Sequence, residues 1–345
     1  MDPGGPASLA FPPVPALPSL PEGFTARPLA ADDVPAVADL LVAAEQVDDT
    51  GEFPDADDIS EWWSGWGIDF RRDGVAVTDD DGALAGYATV LASPTYRDEQ
   101  RIYLEGRVRP DLRGRGLGRA LLDWQLARGA QLRAERYPEV PTRLVVEVHG
   151  TMPALERLAA RAGLTAERWY RSMERSLHAL PEPRPVDGVR LVPFDAARDD
   201  EVRRAHNAAF TEHHGSSERD PDTWRRLFTG TRAFRPDLSV LALEDGAVVG
   251  YVLASVFEAD TEARGYREVH FGQIGVLPAA RGRGLASAMI ATALREAVGH
   301  ECASAALEVD SDNVTGALRL YEGLGFGTAR TRVSWSVPLP PAATG

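Results

Sequence analysis

The sequence contains no lysine and a single cysteine, so all 37 of its basic residues are arginine. One cysteine, Cys302, excludes an intramolecular disulfide and favours the reducing cytoplasm as the compartment. The sequence also lacks an apolar run of membrane-spanning length, and its start, Met1-Asp2-Pro3, lacks the positive charge that opens a signal peptide. These absences predict a cytoplasmic protein without a membrane partner.

Positive charge is scarce relative to negative charge, with 52 acidic residues, 37 basic residues and a formal net charge of −15. Nucleic-acid binding needs a basic surface that neutralises phosphates, so this balance predicts no nucleic-acid partner. The acidity suits a cationic small molecule such as an amine, and it serves solubility equally well. A length of 345 residues suits two domains of ordinary size.

The most informative stretch is a loop rich in arginine and glycine at residues 274–286. An apolar run ends at Pro278, the loop continues through Arg281 to Gly284, and a helical periodicity follows. A strand, a glycine loop and a helix start can hold a phosphate. Glycines let backbone N–H groups approach, the helix N-terminus adds partial positive charge, and arginines add full charges. We interpret this stretch as an anion-binding loop.

Two other interpretations of the loop stay open. A dinucleotide-binding turn requires G-x-G-x-x-G/A, and Ser287 stands in the third position here, although acidic residues (Glu308, Asp310) follow on a later predicted strand. A surface turn without a ligand is the other alternative.

A second copy of the loop argues against chance. Residues 108–118 match the stretch position for position, with Arg113 standing 168 residues before Arg281. In this copy Arg119 occupies the third position of the dinucleotide pattern, so that pattern fails here too. A duplication at half-chain spacing predicts two homologous domains.

The predicted organisation has five parts, and the order of strands and helices repeats in the two domains. The amino-terminal part is a proline-rich arm, predicted to be disordered or extended, with packing on a partner subunit as the alternative. A proline-rich linker stiffens the junction between the domains. The arm, N-terminal domain, linker, C-terminal domain and tail are placed at residues 1–22, 23–179, 180–188, 189–337 and 338–345.

Both loops resemble the coenzyme A diphosphate loop of the GNAT superfamily of acyl-CoA-dependent N-acetyltransferases, where Arg-x-x-Gly-x-Gly/Ala follows a strand ending in Val-x-Pro. The second copy also has an ending similar to the superfamily's closing signature, Ala317 to Phe326. The resemblance covers nearly the whole chain outside its ends. It implies an α/β (α+β) fold of two tandem domains, each a mixed, mainly antiparallel sheet flanked by helices. It also implies acetyl-CoA as co-substrate and no metal.

The resemblance implies a set of coenzyme contacts. Backbone N–H groups of Ile274, Gly275 and Val276 would stabilise the oxyanion and align the pantetheine arm, and Asn313 would contact pantetheine. The loop residues implied to bind the coenzyme are Arg281, Gly282, Arg283, Gly284, Leu285, Ala286 and Ser287 in the second copy, and Val108, Arg113, Gly114, Arg115, Gly116, Leu117, Gly118 and Arg119 in the first.

Acyl transfer to an amine also needs groups that move protons. The resemblance implies Tyr321 as the general acid, and a phenol with a pKa of about 10 stays protonated at neutral pH. Many members carry a carboxylate eleven residues before the motif's first arginine, where His270 stands here, and imidazole suits proton acceptance. Glu268, two residues earlier on the same strand face, is the second candidate base. Structural roles for these side chains are the alternatives.

The first copy lacks these proton-handling groups. Ile102 stands at the position of His270, and Ala159 stands opposite Tyr321, whereas Glu105 lies on the strand but out of register. We therefore predict catalysis in the second domain and a structural or regulatory first domain that can still hold coenzyme A.

The predicted function is acetyl transfer from acetyl-CoA to a primary amine of a small molecule. A protein N-acetyltransferase and a non-enzymatic acyl-CoA-binding sensor or scaffold are the alternatives, and the oligomeric state is left open. His213 and His214 follow the helix that borders the acceptor cleft in related folds, and they either recognise substrate or cap a turn. The acidic segment 45–59 is interpreted as a solvated loop, although this region often shapes the acceptor pocket in the superfamily.

Overall fold

The computed structural model describes residues 16–211, 217–311 and 316–339, and one mixed sheet of twelve strands runs through them. The strands are β1 (Phe24–Pro28), β2 (Gly74–Asp79), β3 (Leu84–Ala92), β4 (Gln100–Val108), β5 (Thr142–His149), β6 (Thr165–Ser176), β7 (Val189–Pro193), β8 (Val240–Glu244), β9 (Ala247–Ser255), β10 (Arg267–Val276), β11 (Cys302–Asp310) and β12 (Gly327–Leu339). The α-helices are α1 (Val34–Asp48), α2 (Ala56–Trp66), α3 (Phe70–Asp73), α4 (Leu117–Arg136), α5 (Pro153–Arg161), α6 (Asp199–Ala209), α7 (Pro221–Trp224), α8 (Glu258–Arg264), α9 (Leu285–Gly299) and α10 (Ala317–Gly323). Elements up to β6 form the N-terminal half, and the later ones form the C-terminal half.

The strand order is β1-β2-β3-β4-β5-β12-β6-β11-β10-β9-β8-β7. Each half contributes five strands in the same sequence from its outer edge, and the closing strands are exchanged at the centre. β6 of the N-terminal half pairs antiparallel with β11, while β12 of the C-terminal half pairs antiparallel with β5. The two closing strands also pair with each other. Each half therefore completes the sheet of the other.

Helices cover both faces of the sheet, as the alternation of buried residues requires. Val75 and Val77 on β2 pack in one cluster with Leu121 of α4, whereas Ala76 between them packs in another cluster with Val37 of α1. The C-terminal half repeats this arrangement, with α9 on one face and α6 on the other. This confirms the predicted mixed, mainly antiparallel sheet flanked by helices.

The described ladders contain two parallel pairs, and both separate part of the way along. β4 and β5 pair only as far as Tyr103↔Val145, and β10 and β11 only as far as His270↔Ala306. Beyond these points β4 and β10 stay paired with β3 and β9 alone. Each half therefore has a wedge between its parallel strands, open toward the glycine loop, along which β4 or β10 leaves backbone groups unpaired.

The interpretation of residues 45–59 as a solvated loop is wrong. Helix α1 continues to Asp48, and α2 begins after Asp55, whose side chain accepts a hydrogen bond from the Asp58 backbone N–H at 2.8 Å. Asp48 is 3% exposed and Glu45 is 9% exposed. A run of acidic residues suggested solvent exposure, but arginines from elsewhere in the chain neutralise it.

The sequence analysis also missed strand β6 and helix α8. Strand β6 carries charged residues on both faces, Glu167 and Arg171 on one and Arg168 and Glu174 on the other, so it lacks the pattern of an apolar strand. Within the predicted linker, residues 181–186 have no regular structure, and the domain boundaries stay a prediction. Among the described residues, no helix is both long enough and apolar enough to cross a bilayer.

Candidate active site

The two glycine loops have the same backbone geometry. Gly114, Gly116, Gly282 and Gly284 have φ angles of 80°, 96°, 77° and 83°. Residues with a side chain rarely adopt this left-handed backbone conformation. A Cβ on Gly282 or Gly284 would meet nothing within 4 Å, so the backbone conformation and not a lack of space requires glycine. Helices α4 and α9 begin directly after these loops, which places helix N-termini and loop N–H groups at an open surface.

The first arginine of each loop ties the loop to the preceding strand. Arg113 donates from Nε to the Val108 carbonyl at 3.1 Å, and Arg281 donates from Nε to the Val276 carbonyl at 3.3 Å. Arg113 also forms two bonds to the buried Asp48 carboxylate, at 2.6 and 2.8 Å. These arginines shape the loops as well as supplying charge.

The other arginines of the loops differ between the copies. Arg283 donates to the Glu244 carboxylate at 2.8 Å and to the Asp187 carbonyl at 2.9 Å, whereas Arg115 is exposed. Arg281 also donates to the Ala209 carbonyl at 2.8 Å. Three of the four guanidinium groups already have protein acceptors, so the feature that the two loops share is their open backbone amides.

His270 lies at the point where β10 leaves β11. A bulge follows it, because Phe271 pairs with Ala254 and Gln273 with the next residue, Leu253, which leaves Gly272 unpaired. His270 is half-buried, and burial lowers the pKa of its imidazole, while Glu308 and Glu52 nearby act in the opposite direction. A neutral imidazole at this place can accept a proton.

The alternative base, Glu268, is engaged by other side chains. Its carboxylate accepts a hydrogen bond from Ser304 Oγ at 2.6 Å and lies 3.8 Å from an Arg264 nitrogen. These contacts give the Glu268 carboxylate a structural role between β10, β11 and α8.

Tyr321 lies on α10 and is 9% exposed, with its ring 6.3 Å from that of Phe326. Burial raises the pKa of its phenol to about 12, so the hydroxyl stays protonated at neutral pH. Among the described residues, no side chain or backbone group forms a hydrogen bond with that hydroxyl.

Ala159 is the structural counterpart of Tyr321. Its carbonyl accepts a hydrogen bond from Leu164 N at 3.1 Å, as that of Tyr321 does from Phe326 N at 3.0 Å, and glycines with positive φ, Gly163 and Gly325, close both helices. The first copy therefore carries a methyl group where the second carries a phenol, as predicted.

The predicted counterpart of His270 is wrong, because the bulge adds one residue to β10 that β4 lacks. His270 is the sixth residue of β10 that pairs with β9, counted back from the glycine loop, and Tyr103 is the sixth residue of β4 that pairs with β3. Burial raises the pKa of Tyr103 to about 12. The same strand also carries Glu105, whose pKa burial raises to about 7 and which accepts a hydrogen bond from Trp62 Nε1 at 3.2 Å. The first copy thus has titratable groups on β4 that counting eleven residues back from Arg113 does not find.

One face of the sheet carries polar side chains across both halves, and we call it the polar face. Strand register places on it Tyr103, Glu105, Arg107, Glu147, His149, Arg332, Ser334, Tyr170, Glu308 and His270. At its centre, Arg332 binds Glu308 at 2.6 Å and Glu147 at 2.8 Å, and its guanidinium lies 4.7 Å from the Tyr170 ring centroid. The exchanged strands thereby build a charged surface that runs from one wedge toward the other.

The connection between α1 and α2 reaches across to the C-terminal half. Phe53 N donates to Asp260 Oδ1 at 3.1 Å, and Arg264 donates to the Gly51 carbonyl at 2.5 Å and lies over the Phe53 ring. Between them, Glu52 keeps an exposed side chain, yet the crowded surroundings desolvate its carboxylate and raise its pKa, against the effect of nearby Arg332. The N-terminal half thus supplies a carboxylate close to His270.

Three predicted residues, His213, His214 and Asn313, lie outside the described residues. In the part of the chain that is described, no group of three or more histidine, cysteine, aspartate or glutamate side chains is arranged to hold a metal ion. Gly275 does have a clear structural role, because a Cβ there would lie 2.5 Å from the Tyr251 hydroxyl.

Comparison with known proteins agrees with this geometry. A family model described as "Acetyltransferase (GNAT) family" matches residues 35–145 and 200–326. The chain is 32% identical to a mycothiol acetyltransferase of Frankia alni, over 88% of this chain and 91% of the relative. It is 34% identical to that of Streptomyces griseus, over 75% of this chain and 78% of the relative. The chain therefore belongs to the GNAT family of acetyltransferases.

Solved structures show the tandem layout. A GCN5-related N-acetyltransferase from Sphaerobacter thermophilus superimposes with a TM-score of 0.73 at 26% identity, covering 94% of this chain and 98% of that one. A tandem GNAT protein from the clavulanic acid biosynthesis pathway has the same fold, with a TM-score of 0.66 at 20% identity, 91% of this chain and 98% of that one being covered. Our chain is a tandem GNAT protein and an acyl-CoA-dependent acetyltransferase, which confirms the predicted family, fold and enzyme class.

Proposed function

We propose that the chain transfers an acetyl group from acetyl-CoA to a primary amine of a small molecule and that the C-terminal half performs the reaction. One observation carries the assignment to this half. At structurally equivalent positions of the two copies, the second has the phenol of Tyr321 and the first has the methyl group of Ala159. The second copy therefore has a candidate proton donor for the departing sulfur at a position where the first copy has a methyl group.

Two features of the C-terminal half fit a coenzyme A molecule. The loop at Gly282 and Gly284 offers N–H groups and the start of α9 to a diphosphate, with open space around both glycines. The wedge beyond His270 leaves backbone groups of β10 unpaired, and an amide-bearing chain such as pantetheine can pair with them. The bound coenzyme would supply a thioester whose acyl carbon is open to attack by an amine.

The side chains at the wedge would handle the protons. Burial lowers the pKa of the His270 imidazole, which favours its neutral form, so it can take a proton from the acceptor amine. Tyr321 would donate a hydrogen bond or proton from its hydroxyl to the sulfur. Loop and strand amides near Gly275 would stabilise negative charge on the carbonyl oxygen.

The acceptor would bind on the polar face beside His270. This surface offers the carboxylates of Glu52 and Glu308 to a cationic amine and the guanidinium of Arg332 to polar oxygen atoms. Mixed charges of this kind suit a small polar amine better than an apolar one. The relatives named mycothiol acetyltransferase make mycothiol-related amines a natural part of the test panel.

The test is release of free thiol from acetyl-CoA in the presence of a panel of small amines and a panel of peptides. The chain's own thiol, Cys302, is buried at 6% exposure and gives little background with a thiol reagent. We expect release that depends on a small amine. Release with peptides alone would instead identify a protein N-acetyltransferase, and coenzyme binding without release would identify a sensor or scaffold.

A further inference from the structure

A cavity lies between the halves, and none of the glycine-loop residues lines it. It has a volume of about 170 Å³. The N-terminal half lines it with Trp66 of α2, Thr95 of the β3–β4 connection and Tyr103 of β4, and the C-terminal half with Arg219 and Leu227. Nothing in the acetyl transfer described above uses this cavity.

Three polar atoms of its lining are buried without a hydrogen-bond partner among the described residues. They are Trp66 Nε1, Thr95 Oγ1 and Arg219 Nε. An indole N–H and a guanidinium can only donate, and a hydroxyl can donate as well. Because buried polar groups are costly to leave unpaired, their convergence on one cavity indicates a ligand that accepts hydrogen bonds.

The charge of the lining favours an anion over a neutral acceptor. Glu99 is neutralised by Arg143 at 2.9 Å, and Arg101 is paired with Glu167 at 2.9 Å. Arg219 is the remaining charge of this lining, and its one side-chain hydrogen bond among the described residues is a long one to Ser217 Oγ, at 3.4 Å.

The adjacent carboxylate is engaged by helix α7. Asp220 accepts hydrogen bonds from Asp222 N and Thr223 N at 3.0 Å and from Thr223 Oγ1 at 2.6 Å, because it caps that helix. Burial lowers the pKa of Arg219, against the effects of Tyr103 and Asp220 nearby. Among the described residues, no carboxylate forms an ion pair with this half-buried guanidinium.

The backbone of Arg219 is held in place by helix α6. Asn207 exchanges two hydrogen bonds with it, accepting from Arg219 N at 2.9 Å and donating to its carbonyl at 3.1 Å. Arg203 donates to the same carbonyl at 2.8 Å. The guanidinium is thus directed into the cavity by a fixed backbone.

We propose that this cavity is a binding site for a small oxyanion, a carboxylate or phosphate group, held by Arg219, Thr95 and Trp66. The guanidinium would bind two oxygens in its fork, and the hydroxyl and indole N–H would bind others. Because both halves line the site, its occupant would link α2 and β4 to the segment before α7.

The test is a titration of the full-length protein with inorganic phosphate and, separately, with acetate, at constant ionic strength set by chloride. Intrinsic tryptophan fluorescence reports binding, since the Trp66 indole lies in the cavity wall. We expect saturable binding, and the tighter of the two anions identifies the class of ligand. Absence of saturable binding of either anion would mean a water-filled cavity and would overturn the proposal.

Variants separate this site from the glycine loops, which also attract phosphate. Arg219→Gln should weaken binding about tenfold or more, since a hydrogen bond to a charged group is lost. Arg225→Gln is the matched control, because that side chain is 62% exposed and six residues away, and it should leave binding unchanged. Thr95→Val, which keeps the side-chain shape, should weaken binding severalfold and covers the case that Arg219→Gln fails to fold. Equal affinity in Arg219→Gln, or in Thr95→Val if the former does not fold, would refute the assignment.

Discussion

Replacing Tyr321 with phenylalanine removes one hydroxyl and leaves the ring against Phe326. The hydroxyl makes no hydrogen bond within the described residues, so we expect a stability change within about 1 kcal/mol. A change of that size shifts Tm by no more than about 2–4 °C. The effect on catalysis should be much larger, and the pKa of Tyr321 indicates which kind of contribution the hydroxyl makes.

A pKa of about 12 lies five units above neutral pH, so Tyr321 is a weak acid, and its main contribution is a donated hydrogen bond to the sulfur. Loss of one such donor typically lowers turnover about 100- to 1,000-fold, which corresponds to about 3–4 kcal/mol of transition-state stabilisation. We therefore expect kcat/KM of Tyr321→Phe to fall by this factor, with no alkaline loss of activity from Tyr321 in the wild type below about pH 11.

The assay is free-thiol release at saturating acetyl-CoA, with thermal unfolding measured on the same samples. Tyr87→Phe is the matched control, because Tyr87 is also a buried tyrosine, at 5% exposure, but lies on β3 of the N-terminal half. It should lose a similar amount of stability and keep full activity. Full turnover by Tyr321→Phe, or an equal loss of activity in the control, would refute the reasoning.

Three further predictions follow from the site and the sheet. Burial lowers the pKa of His270, so kcat/KM should fall only at acidic pH, as the imidazole becomes protonated. His270→Gln should abolish this limb of the pH profile and lower activity about 100-fold or more, and an unchanged pH profile would exclude His270 as the base. Arg232 binds Asp55 at 2.7 Å and Asp58 at 2.6 Å, but these ion pairs contribute little because Arg232 is 42% exposed. Arg232→Ala should therefore raise the KM of the acceptor only about two- to fivefold, through the segment that carries Glu52. Steady-state kinetics should show an unchanged KM of acetyl-CoA. The halves exchange β6 and β12, so each piece of a chain cut within residues 180–188 should be unfolded when alone. Refolding both pieces together should restore folded, active protein, as circular dichroism and thiol release would show. A stable, active C-terminal piece would contradict this.

The glycine loops could be predicted from sequence because their geometry is local. A positive φ at Gly282 and Gly284 followed by a helix start needs only those residues and the periodicity after them. The correspondence between Tyr321 and Ala159 could also be predicted from sequence, because a glycine ends each of the two helices and aligns them. Local signals of this kind survive in any fold.

The counterpart of His270 could not be predicted by counting residues. A bulge inserts one residue into β10, and whether a strand accommodates an extra residue depends on its neighbours, not on its own composition. The acidic segment was misjudged for a related reason. In the sequence, its carboxylates resemble solvated groups. In the structure, arginines of the other half lie beside the segment, with Arg232 bound to the Asp55 carboxylate and Arg264 to the Gly51 carbonyl.

The sequence alone determined the family, the duplication, the two glycine loops and the copy that carries the phenol, because each depends on residues close together in the chain. Only the tertiary structure decided that the closing strands are exchanged and that Glu52 of one half lies near His270 of the other. These features depend on pairing between strands and side chains more than 100 residues apart. Such contacts follow from the packing of the whole sheet, which no local pattern contains.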